Sequence, residues 1–223
     1  MTLAVAVLSL TRDRLDYTRH CFDKLREFAG CDFDHYVLDQ DSQDGTQGWL
    51  ADYDPAGLIL SPENIGVCRG LNKLLDLAFE IEDYDVVVKF DNDCELTQPN
   101  TLRDVAQLTN DGGCLLSPRI LGLRNPPQAM RQLTIGGELI LDIPQIGGIF
   151  LASPSWVFNE FRYNEANPLY GRDDIDLCHW FRQQGGTCGY VKRLEAWHYE
   201  STDGQHERYP DYFERKAAEM AAA

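Results

Sequence analysis

Over the first ninety residues, short apolar runs alternate with segments of helical period. A chain patterned this way buries both kinds of apolar surface by laying helices over a sheet of mostly parallel strands, which sets the fold class as α/β. Leu3–Ser9 has the pattern of a buried strand, and Leu15–Phe28 then places Leu15, Cys21, Phe22, Leu25 and Phe28 on one helical face. His35–Leu38 is a second strand, Asp44-Gly45-Thr46 supplies turn and cap chemistry, Thr46–Tyr53 is a short helix and Gly57–Leu60 a third strand. Asn64–Gly66 leads into a helix over Val67–Phe79. The β-branched run Asp85–Phe90 (DVVVKF) then ends in Asp91-Asn92-Asp93. That order puts carboxylates at the carboxyl end of a strand, where ligands bind open α/β sheets.

After Thr109 the pattern is shaped by loops, with Gly112-Gly113, Pro126-Pro127, Gly136-Gly137 and Gly147-Gly148 marking turns and short strands. Helical order returns at Asp173–Gln184, followed by a strand over Thr187–Val191 and a terminal helix near Asp211–Met220. At roughly 150 residues per domain, 223 residues without a linker or repeat fit one large domain.

The chain carries 36 acidic and 20 basic residues, a formal charge of −16, which argues against a passive grip on phosphate backbones. The excess is uneven: residues 1–111 hold 22 acids and 9 bases, residues 112–223 hold 14 and 11, so the second half can still meet an anionic partner. The longest apolar run, Leu3–Leu8, is far short of the roughly 18–20 residues that cross a bilayer. Met1 stands almost directly on a strand-like run, without the basic region of a secretory signal, and the expected location is cytoplasmic or peripheral to a membrane. Seven cysteines are scattered without a CxxC pair, which reads as reduced, mostly buried thiols.

Two carboxylates beside a strand end are hard oxygen ligands suited to Mg²⁺ or Mn²⁺. An isolated Asp-Asn-Asp is equally an ordinary solvated acidic turn. What separates the two is order: Asp39-Gln40-Asp41-Ser42 ends an earlier strand, ENIGVCRGLN opens a helix, Asp91-Asn92-Asp93 follows, and GRDDIDLCHWFRQQG comes about eighty residues later.

In that order the sequence resembles the family 2 glycosyltransferases of the GT-A fold over nearly its whole length. Members of that family move a sugar from a nucleotide-diphosphate donor with inversion at the anomeric carbon. The resemblance implies a single GT-A domain over residues 1–223, with a donor-binding half (1–111) and an acceptor-side half (112–223) that ends in the terminal helix. VLSLTRDR is similar to the family's first strand and nucleotide-facing turn, making Leu10, Thr11 and Arg14 donor contacts. VLDQDSQDGT resembles the acidic segment near base and ribose, with Asp39, Gln40 and Asp41. Where many members carry Asp-Asp, this chain has Asp39-Gln40, and an amide both donates and accepts hydrogen bonds where a carboxylate only accepts. SPENIGVCRGLNKLLDLA is similar to the Asn-x-Gly segment, in which glycine lets the backbone approach the nucleotide. It contributes Asn64, Gly66, Arg69 and Asn72; read alone, Arg69 is a surface ion pair. DND matches the family's Asp-x-Asp (DXD) element, implying Asp93 as metal ligand, Asp91 on metal or ribose, and Asn92 as a donor contact.

RDDIDLC resembles the family's Glu-Asp motif at a helix amino end, with Asp173 in place of the usual glutamate and Asp174 aligned with the catalytic base. Asp176 reads as helix-dipole compensation. His198 in LEAWHYES matches a histidine that many members use as a further metal ligand, although a histidine read alone is as well a hydrogen-bonded structural residue. PQIGGIF resembles the loop that closes over the donor sugar, with Gly147 and Gly148 leaving room for a hexose. The expected cofactor is Mn²⁺ or Mg²⁺, and the expected donor a UDP- or dTDP-sugar, with a GDP-sugar as the other candidate. The acceptor is a hydroxyl on a saccharide, lipid-linked saccharide, protein or modified nucleobase, which fold likeness does not choose among.

Two other function classes fit the layout. A sugar-nucleotide pyrophosphorylase should carry a glycine-rich phosphate loop after the first strand, where this chain has SLTRDR. A non-catalytic nucleotide-sugar-binding module would not need to keep both DND and RDD.

Overall fold

The computed structural model describes residues 2–123, 125–199 and 205–222. Its first half is a run of β/α units: β1 (Val5–Thr11), α1 (Leu15–Phe28), β2 (Asp34–Gln40), α2 (Thr46–Tyr53), β3 (Gly57–Ser61), α3 (Val67–Ile81) and β4 (Val86–Phe90). The second half continues with β5 (Cys94–Leu96), α4 (Thr101–Gly112), β6 (Leu115–Leu121), β7 (Arg131–Ile135), β8 (Glu138–Asp142), β9 (Phe150–Pro154) and a 3₁₀ turn at Ser155–Asn159. It ends with α5 (Asp173–Gln183), β10 (Cys188–His198), α6 (Gln205–Arg208) and α7 (Pro210–Ala222).

All ten strands form one sheet in the order β3-β2-β1-β4-β9-β6-β10-β8-β7, with β5 pairing β10 off that path. The expected parallel pairing holds across β3-β2-β1-β4. Beyond β4 it gives way: β9 runs antiparallel to both β4 and β6, and β8, β7 and β5 are antiparallel additions, leaving β6/β10 as the parallel pair there. Because β9 is antiparallel to both neighbours, β4, β6 and β10 point the same way. The ends of β4 and β10 therefore meet on one edge of the sheet, and the β5/β10 register sets His198 opposite Cys94, next to Asp93.

β1 runs two residues past the expected Ser9, because its ladder with β2 continues to Thr11↔Asp39. Its polar positions are satisfied there: Ser9 Oγ donates to the Phe90 carbonyl at 2.7 Å and Thr11 Oγ1 to Asp39 Oδ2 at 2.9 Å. α1 matches its expected span, with Cys21, Phe22 and Leu25 buried on one face. α4 lies where the sequence pattern names no element; Leu102, Val105, Ala106 and Thr109 do recur at helical spacing, but diluted by polar residues. β10 extends well past Val191 because a bulge at Val191/Glu195 leaves Lys192 and Arg193 exposed, hiding the continuing strand from an alternation reading. Gly136-Gly137 closes the β7–β8 hairpin with φ of 56° and 84°, the left-handed pair that a two-residue turn requires. All seven cysteines are free thiols, and all but the half-buried Cys31 are buried. No helix among the described residues is long and apolar enough to cross a membrane.

Candidate active site

β1 ends in a tight turn in which Asp13 and Arg14 both take positive φ (50° and 58°). Such backbone is unfavourable for residues with side chains. The turn is held by Asp13 N donating to Ser42 Oγ and Gln43 N donating to Asp13 Oδ1. The result is that Arg14, at the cap of α1, turns inward. Its guanidinium donates to Asp93 Oδ2 at 2.8 Å, Asn92 Oδ1 at 3.2 Å and Gln205 Oε1 at 2.9 Å, and stacks 4.5 Å from the Tyr212 ring centre.

At the end of β4, Asp91 N donates to the Ile149 carbonyl at 2.8 Å, which fixes the acidic turn against the glycine loop before β9. Asp93 is 5% exposed, with His198 Nε2 3.5 Å from its Oδ1. Burial works against its ionisation, yet Arg14 and His198 hold the carboxyl far below the usual carboxylate range. Asp91 is half-buried; burial pushes its carboxyl up to about 6, with Asp93 and Asp173 adding to the rise and Lys89 opposing it. Lys89 precedes Asp91 by two residues, so the period of a strand puts both on one face. Its ammonium forms ion pairs with Asp91 Oδ1 and Asp173 Oδ2, each at 3.0 Å, and donates to the Gly148 carbonyl.

α5 begins at Asp173, tied to the end of β4 through Lys89. Asp174 Oδ1 accepts from Ile175 N at 2.8 Å, and Asp174 Oδ2 accepts from Gly148 N at 3.1 Å and Gln145 Nε2 at 3.4 Å. Burial raises the Asp174 carboxyl and Asp173 adds to the rise, while Lys89 and the two backbone N–H groups limit it. A partly desolvated carboxyl raised by burial is suited to accept a proton from a hydroxyl.

The cleft that these residues line has a volume of about 390 Å³. It gathers Leu10, Thr11, Arg14, Gln40, Asp91, Asn92, Asp93, Gly147, Gly148, Asp173, Asp174 and His198 from the sequence-derived set. Asp39 does not reach it: the carboxylate is fully buried and taken up by Thr11 Oγ1, Ser42 N and Oγ, and Gln47 Nε2, so it builds the turn after β2. Asp41 lines a neighbouring cavity of about 680 Å³ between that turn and α7, where Arg215 contacts it. Asn64 Nδ2 donates to Tyr170 Oη and Glu219 Oε2. Gly66, at φ 86°, packs against Leu169, and Arg69 Nε donates to the Glu165 carbonyl. Asn72 holds the same loop through the Tyr163 carbonyl and Glu165. Asn64, Gly66, Arg69 and Asn72 therefore support the loop ahead of α5, and of this segment it is Val67 that lines the cleft.

Sequence patterns missed Lys89, Arg12, Tyr170, Tyr212 and Lys216, which also line the cleft. For Lys89 the signal was present, as a single charge in an apolar strand. For α7 it was the spacing 212, 215, 216, 219, which puts on one helical face two cleft-lining side chains, Tyr212 and Lys216, and two that pair with the turn after β1, Arg215 with Asp13 and Glu219 with Arg12. Glu219 accepts from both terminal nitrogens of Arg12, from Asn64 and from Tyr170; Arg12 above all holds its carboxyl down to about 2.

Four cationic side chains (Arg12, Arg14, Lys89, Lys216) face four carboxylates (Asp91, Asp93, Asp173, Asp174) around the cleft. The lining is formally neutral. Two carboxylates and an imidazole at the meeting point of β4 and β10 fit a hard divalent cation in kind. Among the described residues no three such ligands are gathered into a preformed cluster, because Arg14 and Lys89 hold the carboxylates.

The sequence profile described as Glycosyl transferase family 2 matches residues 7–182. Among solved structures the chain is similar to GalNAc-T7 with UDP, GalNAc and Mn²⁺, with a TM-score of 0.70 and 13% identity, over 90% of this chain and 45% of that one. It is similar to the mannosyltransferase PcManGT from Pyrobaculum calidifontis in complex with GDP-Man and Mn²⁺, with a TM-score of 0.69 and 16% identity, over 93% of this chain and 60% of that one. It is similar to residues 1–349 of S. aureus TarS in complex with UDP-GlcNAc, with a TM-score of 0.66 and 15% identity, over 89% of this chain and 60% of that one. At such identities the likeness is one of fold, and this chain spans 45% to 60% of the length of those three. No curated protein matches.

Proposed function

Because the chain belongs to glycosyl transferase family 2 and shares its GT-A fold, we propose that it transfers a hexosyl or deoxyhexosyl group from a nucleotide-diphosphate sugar to a hydroxyl acceptor, with inversion. The observation that carries this reading is that one cleft is lined both by Asp174, with its raised carboxyl at the start of α5, and by Asp93 with Arg14 and His198 at the end of β4, together with Gly147 and Gly148. A single displacement needs a base distinct from the group beside the leaving diphosphate, since the hydroxyl is deprotonated on the opposite face of the sugar.

In this reading Asp174 takes the proton of the acceptor hydroxyl, and its hydrogen bonds from Gly148 N and Ile175 N keep the carboxylate aimed. Asp173 adds the negative charge that raises it. Arg14, with Asn92 beside it, and Lys216 stand on the diphosphate side. Asp91, Asp93 and His198 would hold a divalent cation, Mn²⁺ or Mg²⁺, which when bound supplies positive charge to the leaving diphosphate. Leu10, Thr11 and Gln40 line the cleft floor toward the nucleotide, and the Gln40 amide suits a pyrimidine edge, favouring a UDP- or dTDP-sugar over a GDP-sugar. Both kinds of donor occur among the structural neighbours, as UDP-GlcNAc and GDP-Man. We assign residues 1–111 to the donor and residues 112–223, with α7 folded back over the donor side, to the acceptor end of a single domain.

Incubation with a panel of UDP-, dTDP- and GDP-sugars in Mn²⁺, followed by measurement of released nucleoside diphosphate, tests the reading. Slow hydrolysis of at least one donor is expected. Release of pyrophosphate from a sugar-nucleotide would instead favour a nucleotidyltransferase, and binding without turnover a non-catalytic module.

A further inference from the structure

Lys89 is the one charged residue of β4, a strand whose other four positions are fully or almost fully buried between β1 and β9. Its side chain is 11% exposed. Burial works against its charge, but Asp173, Asp91 and Asp174 hold the ammonium well above the usual lysine range. A desolvated ammonium persists only where its surroundings fix it, and here three separate segments do so: the strand end through Asp91, the first turn of α5 through Asp173, and the glycine loop through the Gly148 carbonyl.

The Gly148 peptide is held at both ends. Its carbonyl accepts from Lys89 and its N–H donates to Asp174 Oδ2 at 3.1 Å. A Cβ on Gly148 would stand 2.6 Å from Lys89 Nζ and 2.8 Å from Asp173 Oδ2, so the lysine tip, the loop and the helix start are in direct contact. Asp174 follows Asp173 directly. Its carboxylate is therefore located by two links that both begin at Lys89, one through Asp173 along the chain and one through Gly148 across a hydrogen bond.

We propose that Lys89 is a positioning residue that sets the Asp174 carboxylate against the reacting centre by clamping Asp173 and the Gly148 peptide. The inference rests on the glycosyl-transfer reading. Displacement of a reacting group by about 1 Å costs on the order of 10²-fold in rate with little effect on binding. Lys89 and Asp173 act as one unit, so their removals should not multiply.

The experiment compares the parent with Lys89→Met, Asp173→Asn and the double variant, measuring donor hydrolysis in Mn²⁺ with the best donor of the panel, together with melting temperature. Each variant is expected to lose about 10²-fold in kcat with donor KM within about threefold of the parent, and the double to lose no more than Asp173→Asn alone. A simple counter-ion role predicts otherwise: the charge-balanced double would regain parental kcat along with its melting temperature, and that result overturns the proposal. Multiplying losses, or a change in KM alone, overturn it too. Should Lys89→Met fail to fold, the comparison of Asp173→Asn with the double still decides. A parent that hydrolyses no nucleotide sugar overturns the transfer reading and this inference together, whereas an active parent with multiplying losses overturns only the role of Lys89.

Discussion

The Arg14 guanidinium lies 2.8 Å from Asp93 Oδ2, so the buried carboxylate at the end of the acidic turn already has a fixed cation as partner. A divalent cation that used Asp93 would have to share or displace that contact. In the proposed reading Arg14 would thus compete with metal in the free protein.

Arg14→Met is therefore expected to tighten Mn²⁺ binding to the free protein by tenfold or more, an effect of about 1.4 kcal/mol, read from the free Mn²⁺ signal in electron paramagnetic resonance. Asp93→Asn should abolish Mn²⁺-dependent affinity for UDP and also lower stability by on the order of 3 kcal/mol, because it replaces the anionic partner of a buried guanidinium with a neutral amide. Excess EDTA should stop donor hydrolysis. Unchanged Mn²⁺ binding in both variants, or full activity in EDTA, would place the metal elsewhere or remove it from the reaction.

The donor base is the second expectation. If the Gln40 amide pairs with a pyrimidine, UDP or dTDP in Mn²⁺ should raise the melting temperature more than GDP at equal concentration, since ligand stabilisation follows the ratio of concentration to Kd. Gln40 Oε1 accepts from Ile65 N at 3.1 Å, so the side chain is anchored at its carbonyl. A larger shift with GDP reverses the assignment.

Stability in mild acid follows from His35, which is buried between Tyr53 Oη (2.8 Å from Nδ1) and Ser9 Oγ (2.9 Å from Nε2). Ser9 gives its own proton to the Phe90 carbonyl, so it accepts from Nε2–H and leaves Nδ1 to accept from Tyr53. The ring is neutral: burial, and then Arg26, lower it to about 3. The unfolded chain takes up this proton near pH 6.5 and the folded one does not, so the contribution is complete above that pH and is lost as pH falls from 6.5 toward 3. Each unit within that window removes up to about 1.4 kcal/mol. Urea unfolding at pH 6.5 and 5.0 should show a smaller pH loss in His35→Gln than in the parent; equal losses would mean the ring is already protonated in the fold.

How far such features could be read from sequence depended on whether one segment contains them. The turn carboxylates Asp91 and Asp93, and the pair Asp173-Asp174, stand at element ends that hydrophobic periodicity locates, and all four line one cleft. Asp39 sits in an equally suggestive acidic segment, yet its carboxylate closes a turn with Ser42 and Gln47, a local hydrogen-bond preference that competes with any ligand role. The contribution of α7 was hidden because Glu219 finds Arg12 across more than two hundred residues, and pairings of that range leave no trace in local pattern. The antiparallel strands after β4 were obscured for a related reason: short hairpins such as β7–β8 are half-exposed and register by turn geometry.

The last expectation concerns Asp174. It receives the Ile175 N–H on one oxygen and the Gly148 N–H on the other; Asn has the same shape but a single acceptor oxygen and keeps one of these two hydrogen bonds, so Asp174→Asn should fold and bind the nucleotide sugar with metal as the parent does. What it lacks is a group able to take a proton. Losing a general base lowers the chemical step by roughly 10²–10⁴-fold, and because the carboxylate acts in the transition state, donor affinity should stay within a few-fold. Where an acceptor is found, the anomeric configuration of the product, read by the proton coupling at C1, should be opposite to that of the donor. Retained configuration would rule out a single displacement, and an Asp174→Asn variant turning over within a few-fold of the parent would move the base to another carboxylate, with the half-buried Asp91, pushed up to about 6, as the next candidate.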